Sequence, residues 1–261
     1  MKKNYKYIVI LNWTVLTLLV SGCSNDNLNN PNVTLNSDIQ VAFNVDGKSV
    51  SGLSYDGNFL WVTLDGEPWI LKIDPESGEE LQRIPFFTKN TGGSAFDGKY
   101  LWQIAYLDRT ISKINLESGE VLMKIVTPGL GNSMSAGMTF DGQYLWVSNF
   151  DDGNIYQIDP EEPTRQNQII KGGFTTTGLA WDGVSIWNGI LVGVTKDHGM
   201  VTPKGGYVQK RNMKPNSINS DSFSLSGVGP GTSDWIEGEV VSSKFWWFSG
   251  VNNQIMVVKL R

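Results

Sequence analysis

Beyond residue 23 the apolar positions fall in short runs of four to six residues, separated by Gly, Asp, Asn, Ser and Pro, and no segment keeps a helical period. One phrase recurs through these runs. Residues 52–61 read GLSYDGNFLW, residues 137–146 read GMTFDGQYLW and residues 178–187 read GLAWDGVSIW. Each phrase opens on a Gly and reaches a Trp nine residues later: Gly52 to Trp61, Gly93 to Trp102, Gly137 to Trp146, Gly178 to Trp187 and Gly238 to Trp247. The first four carry Asp-Gly at one offset, which predicts strand, tight turn, strand, with both turn residues at positive φ. The fifth copy has Ser242-Ser243 there.

Thirteen residues past the Trp stands another turn former: Asp74, Asn115 and Asp159. Each closes a third strand (70–73, 111–114, 155–158), and a fourth follows at 81–84, 121–126 and 168–170. Four antiparallel strands repeating every 41 to 44 residues is the pattern of β-propeller blades. The predicted fold is therefore all-β, a five-bladed β-propeller over residues 39–261. The fifth copy ends after its third strand, at 255–259, and a spare strand at 39–43 precedes the first blade. That spare strand would supply the missing edge and close the ring. The repeated tryptophans, at one offset within a strand, read as packing between blades rather than as a ring of binding aromatics.

The N-terminus sets a cellular address. A basic head, MKKNYK, precedes about 14 uncharged residues, too few for a spanning helix. Residues 20–23 then read Val-Ser-Gly-Cys. This resembles the lipobox of bacterial lipoproteins, which implies a signal peptide over 1–22 and lipid on Cys23. Cys23 is the only cysteine, so no disulfide forms within the chain. Residues 23–38, rich in Asn, read as a flexible tether. The expected location is the bacterial cell envelope, lipid-anchored. Ser24 favours the outer membrane over the inner.

Charge narrows the partners. The chain carries a net −5, and the first 22 residues hold three lysines and no acid, so the remainder is more acidic still. With no basic run, nucleic acid is excluded as a partner. With the one Cys committed to lipid and a single His, a Cys-His pair and a multi-histidine metal site are excluded, and no motif names a cofactor.

In a four-stranded blade the Asp-Gly and Ser-Gly turns share one face, which is monotonous here. The other face varies. Its loops hold Asp65, Trp69, Tyr106, Arg109, Phe150, Asp151 and Asp152. The fourth blade adds most: about twelve extra residues within 193–206, holding Asp197 and His198, and a long stretch from 212 to 238 that holds Asp234, Trp235 and Glu237. Aromatics interspersed with carboxylates suit a sugar ring, a peptide or a docking protein. The binding residues expected are Trp69, Tyr106, Arg109, Phe150, Asp151, Asp152, Asp197, His198, Asp234, Trp235 and Glu237. Asp151 and Asp152 with Asp65 or Asp234 also leave glycoside chemistry open.

Across residues 39–261 the blade phrase and the strand ending in Ile-Asp-Pro resemble the YVTN/NHL/quinoprotein-like propellers. Among five-bladed members the layout is similar to the glutaminyl-peptide cyclotransferases. That resemblance implies a propeller and two motif acids. One directly follows the aromatic residue of the phrase, where Val62 follows Trp61 here. The other precedes the second blade's Gly, where Gly92 precedes Gly93. Two functions stand open: a binding module for a glycan, peptide or envelope protein on the variable face, and an enzyme of cyclotransferase-like or glycosidase-like type.

Overall fold

The computed structural model describes residues 40–45, 50–86, 88, 90–129, 135–163, 166–172, 176–192, 195–197, 200–202, 205–211, 222–224, 238–241, 244–249 and 254–259. For 40–43, 166–167 and everything from 191 onward it describes the backbone alone. Cys23, the signal segment and the tether lie outside the described residues, as do His198, Asp234, Trp235 and Glu237.

All described elements are strands. β1 is Gln40–Asn44. The first repeat forms β2 (Val50–Tyr55), β3 (Leu60–Leu64), β4 (Trp69–Ile73) and β5 (Glu80–Pro85). The second forms β6 (Thr91–Phe96), β7 (Leu101–Ala105), β8 (Thr110–Ile114) and β9 (Val121–Val126). The third forms β10 (Ser135–Phe140), β11 (Leu145–Asn149), β12 (Asn154–Ile158) and β13 (Gln166–Lys171). The fourth contains β14 (Thr176–Trp181), β15 (Ile186–Val192), β16 (Thr195–Asp197), β17 (Met200–Thr202), β18 (Gly205–Arg211) and β19 (Ser222–Ser224). The last contains β20 (Gly238–Val241), β21 (Lys244–Ser249) and β22 (Gln254–Lys259). Among these, five sheets have four antiparallel strands, each running in chain order except that the last is β20-β21-β22-β1. β1 pairs antiparallel with β22, Gln40 opposite Val257 and Asn44 opposite Gln254.

The opening strands of the repeats touch in succession: β2 with β6, β6 with β10, β10 with β14, β14 with β20, and β20 with β2. The core lies between the sheets. Trp61, Ile70, Ile84 and Phe86 of the first sheet pack with Leu101 and Ile114 of the second. Trp102, Ile104, Ile111 and Ile125 pack with Met138, Leu145, Val147 and Ile158 of the third. Trp146, Ile155 and Ile170 pack with Leu179 and Ile186 of the fourth. Period-two alternation explains this: Trp points one way from its sheet and the Leu or Ile before it points the other. Trp102 and Trp146 are fully buried, with Trp61 and Trp187 nearly so.

The Asp-Gly turn differs from the expected type. The paired strands end at Tyr55 opposite Leu60, and one further backbone bond runs from the Asp56 N–H to Phe59 O at 3.1 Å. Gly57 and Asn58, rather than Asp56 and Gly57, therefore form the tip, and only the Gly has positive φ, 101° at Gly57. The Asp carries the turn instead. Oδ1 of Asp56 accepts the N–H groups of Asn58 and Phe59, and Oδ2 accepts the indole N–H of Trp61 at 2.7 Å. Asp97 serves Trp102 in the same way, Asp141 serves Trp146 and Asp182 serves Trp187, each at 2.7 Å. Burying an indole obliges its N–H to find an acceptor, which is why Asp and Trp recur together.

In the fourth repeat the described part of the insertion is strand. β15 and β18 run longer than their counterparts, pairing as far as Val192 with Gly205, and β16 and β17 form a separate two-stranded ribbon. Asp197 closes β16 opposite Met200.

Candidate functional site on the face opposite the Asp-Gly turns

On the Asp-Gly face the turn aspartates cap backbone N–H groups of their own turns. Besides the four that hold tryptophans, Asp74, Asn115 and Asp159 each accept two backbone N–H groups. The N–H groups of Ser77 and Glu76 hold Asp74 below the usual carboxylate range.

The opposite face is different. Among the described residues, buried side-chain atoms with no hydrogen-bond partner include Asp65 Oδ1, Arg109 Nε, Thr127 Oγ1, Ser135 Oγ and Asn154 Oδ1. All five lie at strand ends or loops on this side, and each such group calls for an explanation. The remaining ones, Gln103 Oε1, Ser112 Oγ and Thr139 Oγ1, belong to the sheets' interior. Both described non-glycine residues at positive φ are here too, Asn90 at 61° and Arg109 at 55°.

The loops explain this arrangement. Asp65, Tyr106 and Phe150 each stand four residues past the repeat Trp, at the start of the loop that follows the second strand. Asp65 reaches the second sheet. The backbone N–H groups of Gly66 and Thr91 serve its carboxylate, yet burial outweighs them and pushes the carboxyl above its usual range. Thr91 Oγ1 also bonds Ser51 Oγ at 2.6 Å and Leu64 O at 3.4 Å across the seam. The N–H of Tyr106 donates to Asn90 O at 3.0 Å. Asp65 and Tyr106 thus flank residues 90 and 91. Burial first, then the charge of Asp65, push the Tyr106 phenol up. Beyond Tyr106, Leu107 is 61% exposed at the loop tip.

The expected binding residues divide by this geometry. Tyr106 and Arg109 share the second sheet's loop, beside Asp65. Trp69 opens β4 and packs, partly buried, against the first sheet's core. Phe150 is buried, with 2% of its surface exposed, so its ring belongs to the interior. Asp151 is exposed. Asp152 is committed to its own loop: Oδ1 accepts the N–H of Asn154 at 2.8 Å and Oδ2 the hydroxyl of Tyr156 at 2.5 Å. That bond and, before it, burial raise the Tyr156 phenol. Among the described residues no group of three or more His, Cys, Asp or Glu could hold a metal ion.

Sequence reasoning passed over Gln103, Thr127, Asn149 and Asn154. Two of these left a signal. Gln103 directly follows its Trp where Val62 and Val147 stand in neighbouring repeats, and Asn149 replaces the apolar Leu64 and Ala105. Gln103 Nε2 donates to Gly92 O at 2.6 Å. Asn149 accepts the N–H groups of Asp151 and Asp152 and donates to Pro128 O at 3.1 Å, tying the second sheet's exit to the third. Thr127 and Asn154 look like ordinary strand-end residues, and their sequence positions carry no signal.

Among solved structures, the crystal structure of the glutaminyl cyclase from Myxococcus xanthus matches this chain with a TM-score of 0.65. The identity is 10%, and the match covers 85% of this chain and 95% of that one. The class that this fold defines is a β-propeller-like, all-β protein of repeated four-stranded sheets. No protein-family model matches the chain, and no curated protein does.

Proposed function

We propose that the chain is a lipid-anchored protein of the bacterial cell envelope. Its five sheets are the blades of a propeller closed by β1, and the loop face opposite the Asp-Gly turns is a binding module for a glycan, a peptide or a partner protein. The observation that carries this reading is the asymmetry between the two faces. The turn aspartates on one side cap their own turns and tryptophans, while on the other five buried polar atoms lack partners among the described residues. The succession of contacts from β2 through β20 and back to β2, with β1 beside β22, supports a closed ring. The expected sites on the fourth repeat's long loops, among them Asp197, His198, Asp234, Trp235 and Glu237, belong to the same face in this proposal.

The binding reading is preferred over catalysis for a structural reason. Val62, where the cyclotransferases carry an acid, is fully buried in the first sheet's core. At Gly92 a Cβ would meet Ala136 O at 3.0 Å and Ile104 Cγ2 at 3.2 Å, so a side chain there would require its neighbours to give way. One observation supports the enzyme alternative: Asp65, its carboxyl raised, sits near the Tyr106 phenol, and a raised carboxyl is suited to general acid work.

The test is a glycan and peptide array probed with the full chain, repeated on a variant with residues 193–206 shortened to the spacing of the other repeats, followed by turnover assays on the hits. Ligands lost with the shortening support the face. Binding unchanged by it and by Asp65→Asn sinks the face as drawn. Turnover that disappears in Asp65→Asn, Asp151→Ala, Asp234→Ala or Glu237→Ala moves the assignment to an enzyme. For the anchor, Cys23→Ala should release the protein from the membrane pellet, and an unchanged pellet refutes lipidation.

A further inference from the structure

Resting on the reading that this face takes the ligand, we propose that Arg109 and Thr127 form an oxyanion subsite that receives a carboxylate or phosphate group. Three observations converge on it. First, Arg109 holds a left-handed backbone, φ 55°, at the seventh residue after Trp102. At the seventh residue after Trp146 stands Gly153, φ 67°, the residue type for which that conformation costs nothing. A bulky side chain in a strained conformation persists where the side chain has a use.

Second, among the described residues nothing pairs with the guanidinium to offset the strain. Its Nε is buried without a partner, and among the described residues no carboxylate forms an ion pair with it, although Asp108 is its neighbour in sequence. Third, a second unsatisfied group belongs to the residue that is hydrogen-bonded to Arg109 through the backbone. The N–H of Thr127 donates to Arg109 O at 2.9 Å, which holds the two residues side by side, and Thr127 Oγ1 is likewise buried and unpartnered.

Their shared demand is for an acceptor. Arg offers only donors and stays charged, and a threonine hydroxyl can donate, so an oxyanion satisfies both with one group. The surroundings limit the charge. Asp65, Glu67, Asp108, Asp151 and Asp152 lie in loops of the same face, where the described cations include Arg109 and Lys171, the latter opposite Asn154 at the end of β13. A ligand with one anionic group fits there, and a polyanion is repelled.

The experiment titrates inorganic phosphate and acetate into the full chain, wild type and the variants Arg109→Gly, Arg109→Lys and Thr127→Val. Affinity is followed by NMR chemical shifts, and melting temperature is recorded without anion. The proposal expects wild type to bind one of the two anions, the one bound identifying phosphate or carboxylate as the source. It expects at least tenfold weaker binding in Arg109→Gly and Thr127→Val, a smaller loss in Arg109→Lys, and a higher melting temperature for Arg109→Gly. Binding of neither anion overturns it. So does affinity indifferent to Arg109 and Thr127. A lower melting temperature or failed folding in Arg109→Gly also overturns it, by giving the side chain a structural role, and Thr127→Val reads the subsite independently. Array ligands lost on shortening 193–206 but indifferent to both residues would reject the subsite and spare the face. Anion binding that depends on both residues, with no array ligand depending on the face, would do the reverse.

Discussion

Gly137→Ala tests how closely neighbouring repeats approach at the centre of the fold. Gly137 lies in β10, where the register shifts between Ser135 and Met138, and its N–H donates to Ser148 Oγ at 2.8 Å. Ser148 Oγ in turn donates to Thr177 O of the next repeat. A Cβ on Gly137 would lie 2.4 Å from Thr177 O, 2.5 Å from the Gly178 Cα and 2.7 Å from its carbonyl carbon. All three are backbone atoms of β14, so no side chain can swing aside and the strand itself must move. Overpacking typically costs about 1–3 kcal/mol, and a clash with backbone on this scale belongs at about 3 or above. Gly142→Ala is the matched control. Gly142 has φ 97° with nothing within 4 Å of a Cβ, so it carries conformational strain alone, about 1–2 kcal/mol. At roughly 2–4 °C per kcal/mol for a domain of this size, the control should lose about 2–8 °C of melting temperature. Gly137→Ala should lose about 6–12 °C or more, if it folds. Urea denaturation of both variants measures the gap. Equal destabilisation by the two would refute close strand approach as the reason Gly opens the phrase.

Asp65→Asn should stabilise the fold at neutral pH. Its carboxyl is raised by burial, so folding favours the protonated form: that contribution is full below the unfolded pKa of about 3.9 and is lost as pH rises through the higher folded value. The advantage of the variant should therefore shrink as pH falls toward about 4, and a constant gap from pH 7 to pH 3.5 contradicts this. Asp97→Ala removes the acceptor of the buried Trp102 indole and the cap on two backbone N–H groups, and should cost about 2–4 kcal/mol in denaturant titrations. A loss under about 0.5 kcal/mol would mean the Asp–Trp bond is incidental. Deleting residues 39–45 exposes the edge of β22 and should yield aggregation or a large drop in melting temperature, and a monomer as stable as the parent argues against closure by β1.

Much of the fold was legible in the chain because the architecture is periodic. Each Asp-Gly and each Trp at a constant offset reports the same local hydrogen bond and the same inter-sheet packing, and the unpaired strand at 39–43 stood out against the missing one at the far end. The turn type was not legible. Asp-Gly is compatible with more than one placement of the tip, and here the Asp stands just before it, where its side chain holds two turn N–H groups and the indole N–H arriving from the far strand. The site was legible only as a face. Sequence marked Tyr106 and Arg109 as loop residues of the right chemistry, but it listed Phe150 with them. Whether an aromatic at that offset turns outward or enters the core depends on what the neighbouring sheet leaves open. The buried oxygen of Asp65 lies where two repeats meet, and the strain at Arg109 and its pairing with Thr127 arise between strands of the second repeat that are distant in sequence. Sequence determined the repeating unit because local hydrogen bonds and period-two burial write themselves into each copy. Tertiary structure decided the site because burial, backbone conformation and unsatisfied polar groups are set between strands and between copies, where no residue's own neighbours in the chain record them.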